Sequence, residues 1–229
     1  MMSQPDDVTC GPTCLQAVYR FFGDSIDLTD LIAQVRSLET GGTLAALLGQ
    51  HALTRGYQAT LYTCNLRVFD PTWFGWKGST LAQKLEEQAQ AKSDGNLLIA
   101  TRAYLGFLRR GGAIRSADIT RELLANQLRS DRPIITGLSA TWLHHSARER
   151  MWDEEYDDIR GTSAGHFVVI NGYDESRDEF CVLDPLLRVN GGRGGEIHVP
   201  THRLTGAIFL GVLTHDADLL VLKPNRAGN

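Results

Sequence analysis

The apolar pattern changes period partway along the chain, and this change constrains the fold more than any other feature. From Pro12 to Phe22 (PTCLQAVYRFF) the apolar residues Cys14, Leu15, Val18, Tyr19 and Phe22 recur at helical spacing. Pro12 suits a first helical turn and Gly23 a stop. Further helices are predicted over Leu28–Ser37 and from Thr43, as N-cap, to Arg55–Gly56. Beyond Arg132 the pattern becomes one of short apolar runs: RPIITGL to Leu138, FVVI over 167–170, EFCVL over 179–183, and a last edge strand over Asp218–Leu222. Asn171-Gly172 reads as a turn, and Asp184-Pro185 as the end of a strand. Helices first and antiparallel strands later predict an α+β fold, not a doubly wound parallel sheet.

The middle is less regular. Tyr57–Thr63 alternates as a strand. Residues 64–118 read as a helical insertion with its own small apolar patch: an aromatic loop DPTWFGWKG, a helix capped by Ser79 that runs through Lys92, and another over Leu97–Arg110. Thr120–Arg129 is helical. Residues 140–164 form a long loop around the acidic stretch WDEEYDDIR, Gly191–Gly195 a flexible loop, and Pro200 the start of a short helix. The expected organisation is a single domain over 1–229, with an insertion at 64–118 and a loop at 140–164 as additions to its core.

Size and charge narrow the function. A chain of 229 residues buries about 70% of its surface and needs no covalent staples. The formal net charge of −4 is the wrong sign for a nucleic-acid coat. The longest wholly apolar run, Ala207–Leu213, is far short of the ~20 residues of a membrane span. The N-terminal MMSQPDD has no basic segment followed by an apolar one, so no secretory signal is expected. Four cysteines, Cys10, Cys14, Cys64 and Cys181, are too few for a disulfide scaffold, and no C-x-x-C pair suggests a zinc finger. A reducing cytoplasm is the expected compartment, with no cofactor and no metal.

In such a compartment a cysteine is either a small buried hydrophobe or a reagent. Cys10-Gly11-Pro12 stands where the first helix begins, and the unpaired N–H groups and dipole there favour a thiolate. Gly11 would let a substrate backbone approach. Gln4, six residues upstream, can supply an amide N–H to an oxyanion hole together with the Cys10 N–H. Cys14, one turn later in the apolar stripe, reads as core, as do Cys64 and Cys181.

A thiol nucleophile needs a base, and the base an orienting group. Of seven histidines, His166 has the best setting, after a glycine and at the mouth of a buried strand. His144 and His145 lie in the long loop, where placement is poor. Asp184 ends the next strand, and a hairpin would bring it to the same end of the sheet as His166. Taken singly, His166 reads better as a hydrogen-bonded structural histidine and Asp184-Pro185 as a plain turn opener.

Together, Gln4, Cys10-Gly11-Pro12-Thr13-Cys14-Leu15, Gly165-His166-Phe167-Val168-Val169, Gly172-Tyr173-Asp174 and Val182-Leu183-Asp184-Pro185 resemble peptidase family C39 and its C39-like relatives. The insertion layout is also similar to a guanylyl-cyclase-like group that shares the papain-like core. The C39 resemblance implies a papain-like cysteine peptidase fold, with N-terminal helices packed on a C-terminal antiparallel sheet. It further implies Cys10 as nucleophile, His166 as base, Asp184 as orienter and Gln4 as oxyanion donor, acting on a peptide or amide bond of a peptide or protein substrate. An acyl-transferring enzyme on the same triad and a non-catalytic binding module remain alternatives. Cyclase chemistry is the least favoured, because no metal-binding carboxylate pair accompanies a nucleotide motif.

Other motifs compete less well. Gly161-Thr-Ser163-Ala-Gly165 matches G-x-S-x-G but lacks the strand before and the helix after that a nucleophile elbow needs. The GGRGG run fails dinucleotide spacing. Asp153–Asp158 reads as a solvated face or a cation site, and Trp73, Phe74 and Trp76 as core of the insertion or cleft lining.

Overall fold

The computed structural model describes residues 1–6, 8–38, 42–75, 80–150, 153, 155–189, 193–214 and 216–225. The predicted cap Ser79, the aromatic Trp76, Trp152 and Glu154 of the acidic stretch, Gly191 and Gly192 of the GGRGG run, and His215 lie outside them.

The first helix, α1 (Cys10–Phe21), buries Cys14, Leu15, Val18 and Tyr19 completely. It ends at Gly23, whose φ of 78° is the left-handed stop expected of a glycine. Asp27 caps α2 (Leu28–Gln34) by accepting the N–H groups of Thr29 and Asp30. The next helix, α3 (Ala45–Thr54), starts after Leu44 rather than Thr43. Its first N–H, from Ala45, is instead taken by the distant carboxylate of Asp216 at 2.7 Å, while the Thr43 hydroxyl donates to the Arg36 carbonyl. Strand β1 (Tyr57–Thr63) follows as predicted.

Residues 64–118 contain more than helices. They hold a 3-10 turn at Pro71–Phe74, α4 (Leu81–Ala91) with a Thr80/Gln83 capping box, α5 (Gly95–Arg109) capped by Asp94, and a strand, β2 (Ala113–Ser116), parallel to β1. Phe69, Leu85, Tyr104 and Phe107 do not form a separate patch: they pack in the same core as α1 and α3. Then come α6 (Arg121–Leu128), β3 (Ile134–Ser139), α7 (Ala140–His144), β4 (Gly165–Asp174), β5 (Glu179–Val189), β6 (Arg193–Pro200), α8 (Thr201–Leu210) and β7 (Asp218–Pro224).

The seven strands form one sheet in the order β2-β1-β7-β3-β4-β5-β6, antiparallel throughout except at β1–β2. The last strand, predicted to be an edge, is central: β7 lies between β1 and β3. Its run Leu219–Leu222 is buried on both faces, as a continuous apolar segment requires. Alternate residues of the central strands feed two cores. Ile135, Phe167, Val169, Leu220 and Leu222 join α1, α3 and α5, whereas Ile134, Val168, Ile170, Leu219 and Val221 join α6 and α8 on the opposite face. The fold is α+β, with helices of the first half on one face and three later helices, α6, α7 and α8, on the other.

Two turn signals were misplaced. Asn171-Gly172 lies inside β4, at a register shift between Ile170 and Gly172. The hairpin turns instead after Asp174, whose carboxylate accepts the N–H groups of Ser176 and Arg177. Asp184-Pro185 does not end β5, which continues to Val189 through an irregularity between Asp184 and Arg188. Loop 140–164 opens with α7 and is pinned by bridges of Glu149 to Tyr156 and Thr162. Its acidic residues are matched by arginines: Arg150 pairs with Asp153, and Arg160 with Asp157.

Gly49 lies where α3 packs against α5. A Cβ there would stand 2.5 Å from Cε2 of Phe107, a fully buried ring. Gly49→Ala should therefore lower stability by about 1–3 kcal/mol through overpacking. Urea unfolding measures it, and an unchanged midpoint would contradict this packing.

Candidate active site

Cys10 is the first residue of α1 and is 8% exposed, so the thiol sits at the positive end of a twelve-residue helix. The helix packs along β4, and the Cys14 thiol donates to the Phe167 carbonyl at 3.3 Å. This contact sets the level of α1 against the start of β4, where His166 stands. The space beside Gly11 is filled by Thr43 and Leu48: a Cβ would come within 2.5 Å of Thr43 Cγ2. Gly11 thus serves the seating of α1 against the start of α3, not the approach of a substrate.

The structure brings His166 and Asp184 together as the hairpin argument anticipated. His166 Nε2 lies 2.8 Å from Asp184 Oδ1. A carboxylate oxygen accepts, so Nε2 carries the hydrogen and Nδ1 is left for Cys10. Asp184 is completely buried. Its Oδ1 also accepts the Leu186 N–H at 2.8 Å, and its Oδ2 accepts from His144 Nε2 at 2.9 Å. Burial opposes ionisation, but the hydrogen bonds from His144 and His166 outweigh it and hold the carboxyl well below the usual range.

His144 is the residue that sequence reading missed. The Ser139 hydroxyl caps α7 by accepting the Trp142 N–H, so α7 leaves β3 directly and is not part of a wandering loop. Because Ser139 pairs with Gly165, residues just after 139 must lie near His166. A serine ending a buried strand was the available signal.

Burial pushes the Cys10 thiol up, but the hydrogen bond and charge of His166, with the N–H groups of Phe167 and Gly11, bring it below its ordinary value. Burial likewise pulls His166 down, and Asp184 and Cys10 more than reverse this, raising it to about 10. The balance of both shifts is a thiolate beside an imidazolium. The other thiols differ. Burial pushes Cys14 far up, and raises Cys64 and Cys181 to about 11. Cys64 and Cys181 are half-buried rather than core.

Gln4 is buried, and its N–H donates to the Pro185 carbonyl at 3.1 Å, which holds it beside Asp184. Its Oε1 is buried without a hydrogen-bond partner among the described residues. Ser163 of the G-x-S-x-G match only shares a hydrogen bond with Ser139. Trp73 lines an open groove of about 570 Å³ with Leu66, Phe69 and Lys84, and no residue of that groove belongs to the Cys10 site. Asp216 is a second carboxyl that sequence reading missed. Burial and the neighbouring Asp218 push it well above its ordinary value.

A family model described as the Peptidase_C39 like family matches residues 1–197. A search among curated protein sequences finds no match. Among solved structures, the chain is similar to a Bacillus anthracis protein described as a C39-like peptidase, at 14% identity and a TM-score of 0.45, covering 98% of this chain and 94% of that one. It is also similar to the peptidase domain of Streptococcus ComA, a bi-functional ABC transporter involved in a quorum sensing pathway, at 12% identity and TM-score 0.44, covering 98% and 97%. Xylellain, a cysteine protease from Xylella fastidiosa, is similar at 15% identity and TM-score 0.48, covering 98% and 83%. With the family model spanning residues 1–197, the chain belongs to the Peptidase_C39 like family.

Proposed function

We propose that the chain is a cysteine peptidase or amidase working through Cys10, His166 and Asp184, with Gln4 as oxyanion donor and a peptide or protein as substrate. One observation carries the reading: a helix-end thiol whose pKa is lowered by an imidazole that is itself bonded, at 2.8 Å, to a buried carboxylate. In the first step Cys10 Sγ attacks the amide carbonyl carbon, and the C=O electrons move onto oxygen. The Cys10 N–H and the Gln4 amide stabilise that oxyanion. His166 passes its Nδ1 proton to the leaving nitrogen as the C–N bond breaks, giving a thioester. His166 then takes a proton from water as the water oxygen attacks the thioester carbon; the C–S bond breaks, the acid leaves and Cys10 returns as a thiolate beside the imidazolium. Segments 64–118 and 140–164 are proposed to set substrate choice on a single domain. Four free thiols suit a reducing compartment such as the cytoplasm. Among the described residues, no helix is long and apolar enough to cross a membrane.

Cys10→Ala should abolish both peptide hydrolysis and labelling by a thiol-directed electrophile, read by intact mass. Labelling that persists at Cys14 or Cys64 would sink the assignment. The pH dependence follows from the two shifts. Thiolate reactivity should rise as pH passes the lowered Cys10 pKa, and hydrolysis, which also needs the imidazolium, should decline as pH rises through about 10. In His166→Ala, only the N–H groups of Phe167 and Gly11 still oppose burial, so the Cys10 alkylation midpoint should move upward from the parent's. An unmoved midpoint would separate His166 from the thiol.

His144 is proposed as a positioning residue. Removing its bond to Asp184 should cost about 10–100-fold in kcat, the worth of a charge-assisted hydrogen bond. It should also shift the acid limb of the pH–rate profile upward, because Asp184 loses a donor that favours its ionised form. A His144→Ala enzyme with the parent's acid limb would exclude this role.

A further inference from the structure

At the outer edge of the sheet, Cys181 on β5 lies directly opposite His198 on β6, and Leu183 opposite Glu196. Positions two apart on a strand share a face, so Glu196 and His198 stand side by side on β6 and Cys181 faces them across the ladder. The thiol sulfur, a carboxylate oxygen of Glu196 and a ring nitrogen of His198 all lie within 4.8 Å of one another. Among the described residues, this is the one group of three or more His, Cys, Asp or Glu side chains close enough to hold an ion. The cysteine is half-buried and the other two are exposed, so an ion can reach them from solvent.

We propose that Cys181, Glu196 and His198 form a zinc site that clamps β5 to the edge strand β6. The donor set selects the ion. Magnesium and calcium take oxygen ligands, whereas a thiolate, an imidazole and a carboxylate together suit zinc. Tetrahedral zinc, with bonds of about 2.0–2.3 Å, holds its donors about 3.3–3.6 Å apart. Side-chain rotation of the exposed Glu196 and His198 closes the remaining gap without moving the strands. Binding releases the Cys181 Sγ proton to solvent, and three protein ligands leave the fourth position to water. Cys181 lies three residues before Asp184 on β5, so the clamp fixes the strand that carries the proposed orienting carboxylate. It shares no residue with the Cys10 site and stands whether or not the peptidase reading does. The spacing C-x14-E-x-H matches no sequence signature, because strand register assembles the site.

The test uses the full chain with Cys10→Ala, which removes the reactive thiol, made metal-free with a chelator. Zinc titrated by calorimetry should bind with a stoichiometry of one. Cys181→Ser, Glu196→Gln and His198→Ala should each weaken binding at least tenfold. Cobalt in place of zinc should give thiolate-to-metal absorption in the near ultraviolet that Cys181→Ser lacks. The exposed-residue variants should melt, metal-free, at the parent's temperature, so they decide the matter if Cys181→Ser folds poorly. No saturable uptake of zinc at micromolar concentration would overturn the proposal, as would binding indifferent to His198→Ala and Glu196→Gln.

Discussion

A carboxylate with no access to water is unstable unless hydrogens point at it from the protein. Asp184 meets that condition with three donors from three places: the Leu186 N–H, His166 at the head of β4 and His144 at the end of α7. Each donor fixes a piece of chain. The irregularity in β5 after Asp184 turns the Leu186 N–H back onto the carboxylate, β4 is held at its first residues, and α7 is drawn in from the start of a long loop. Gln4 is tied to the next residue, Pro185. The N-terminal segment, two strands and a helix therefore converge on one buried anion. The imidazole that faces Cys10 owes its tautomer to the same contact.

Charge is distributed in a consistent way around the thiol. The helix end, the imidazolium and the N–H groups of Gly11 and Phe167 all favour a negative sulfur. A second buried carboxyl, Asp216, is disfavoured as an anion, because burial and Asp218 push its pKa well above the ordinary value. It accepts the Ala45 N–H that begins α3.

Much of this was legible in the residues. Helical period found α1, alternation found β1 to the residue, and Cys10, His166 and Asp184 were singled out by position at element ends. What was missed depends on pairing, which one strand does not encode. Asn171-Gly172 carries turn chemistry, yet β4 absorbs it at a register shift because its neighbours continue on both sides. Asp218–Leu222 looked like an edge because it comes last, although its unbroken apolar run already suited a strand covered on both faces. The acidic centre of the loop says nothing of where His144 lies; Ser139, where the chain leaves the sheet, does. Segment 64–118 reads as separate because Phe69 packs on Phe74 and Tyr104 within it, whereas Phe107 packs on Gly49 of α3, far away in sequence.

The central place of β7 has a consequence for biosynthesis. On a ribosome, β1 and β2 emerge early, and β3 to β6 follow as a second set of paired strands. No hydrogen bond of the sheet joins the two sets until β7 arrives and pairs with both. Cys10 leads α1, which packs on β4, so the thiol and His166 both belong to the frame of the second set. Long-range closure of this kind is slow relative to local pairing. The first helix to be made therefore waits for β4 before its thiol meets the histidine, and the β1–β2 pair is hydrogen-bonded into that sheet only by one of the last segments to be made.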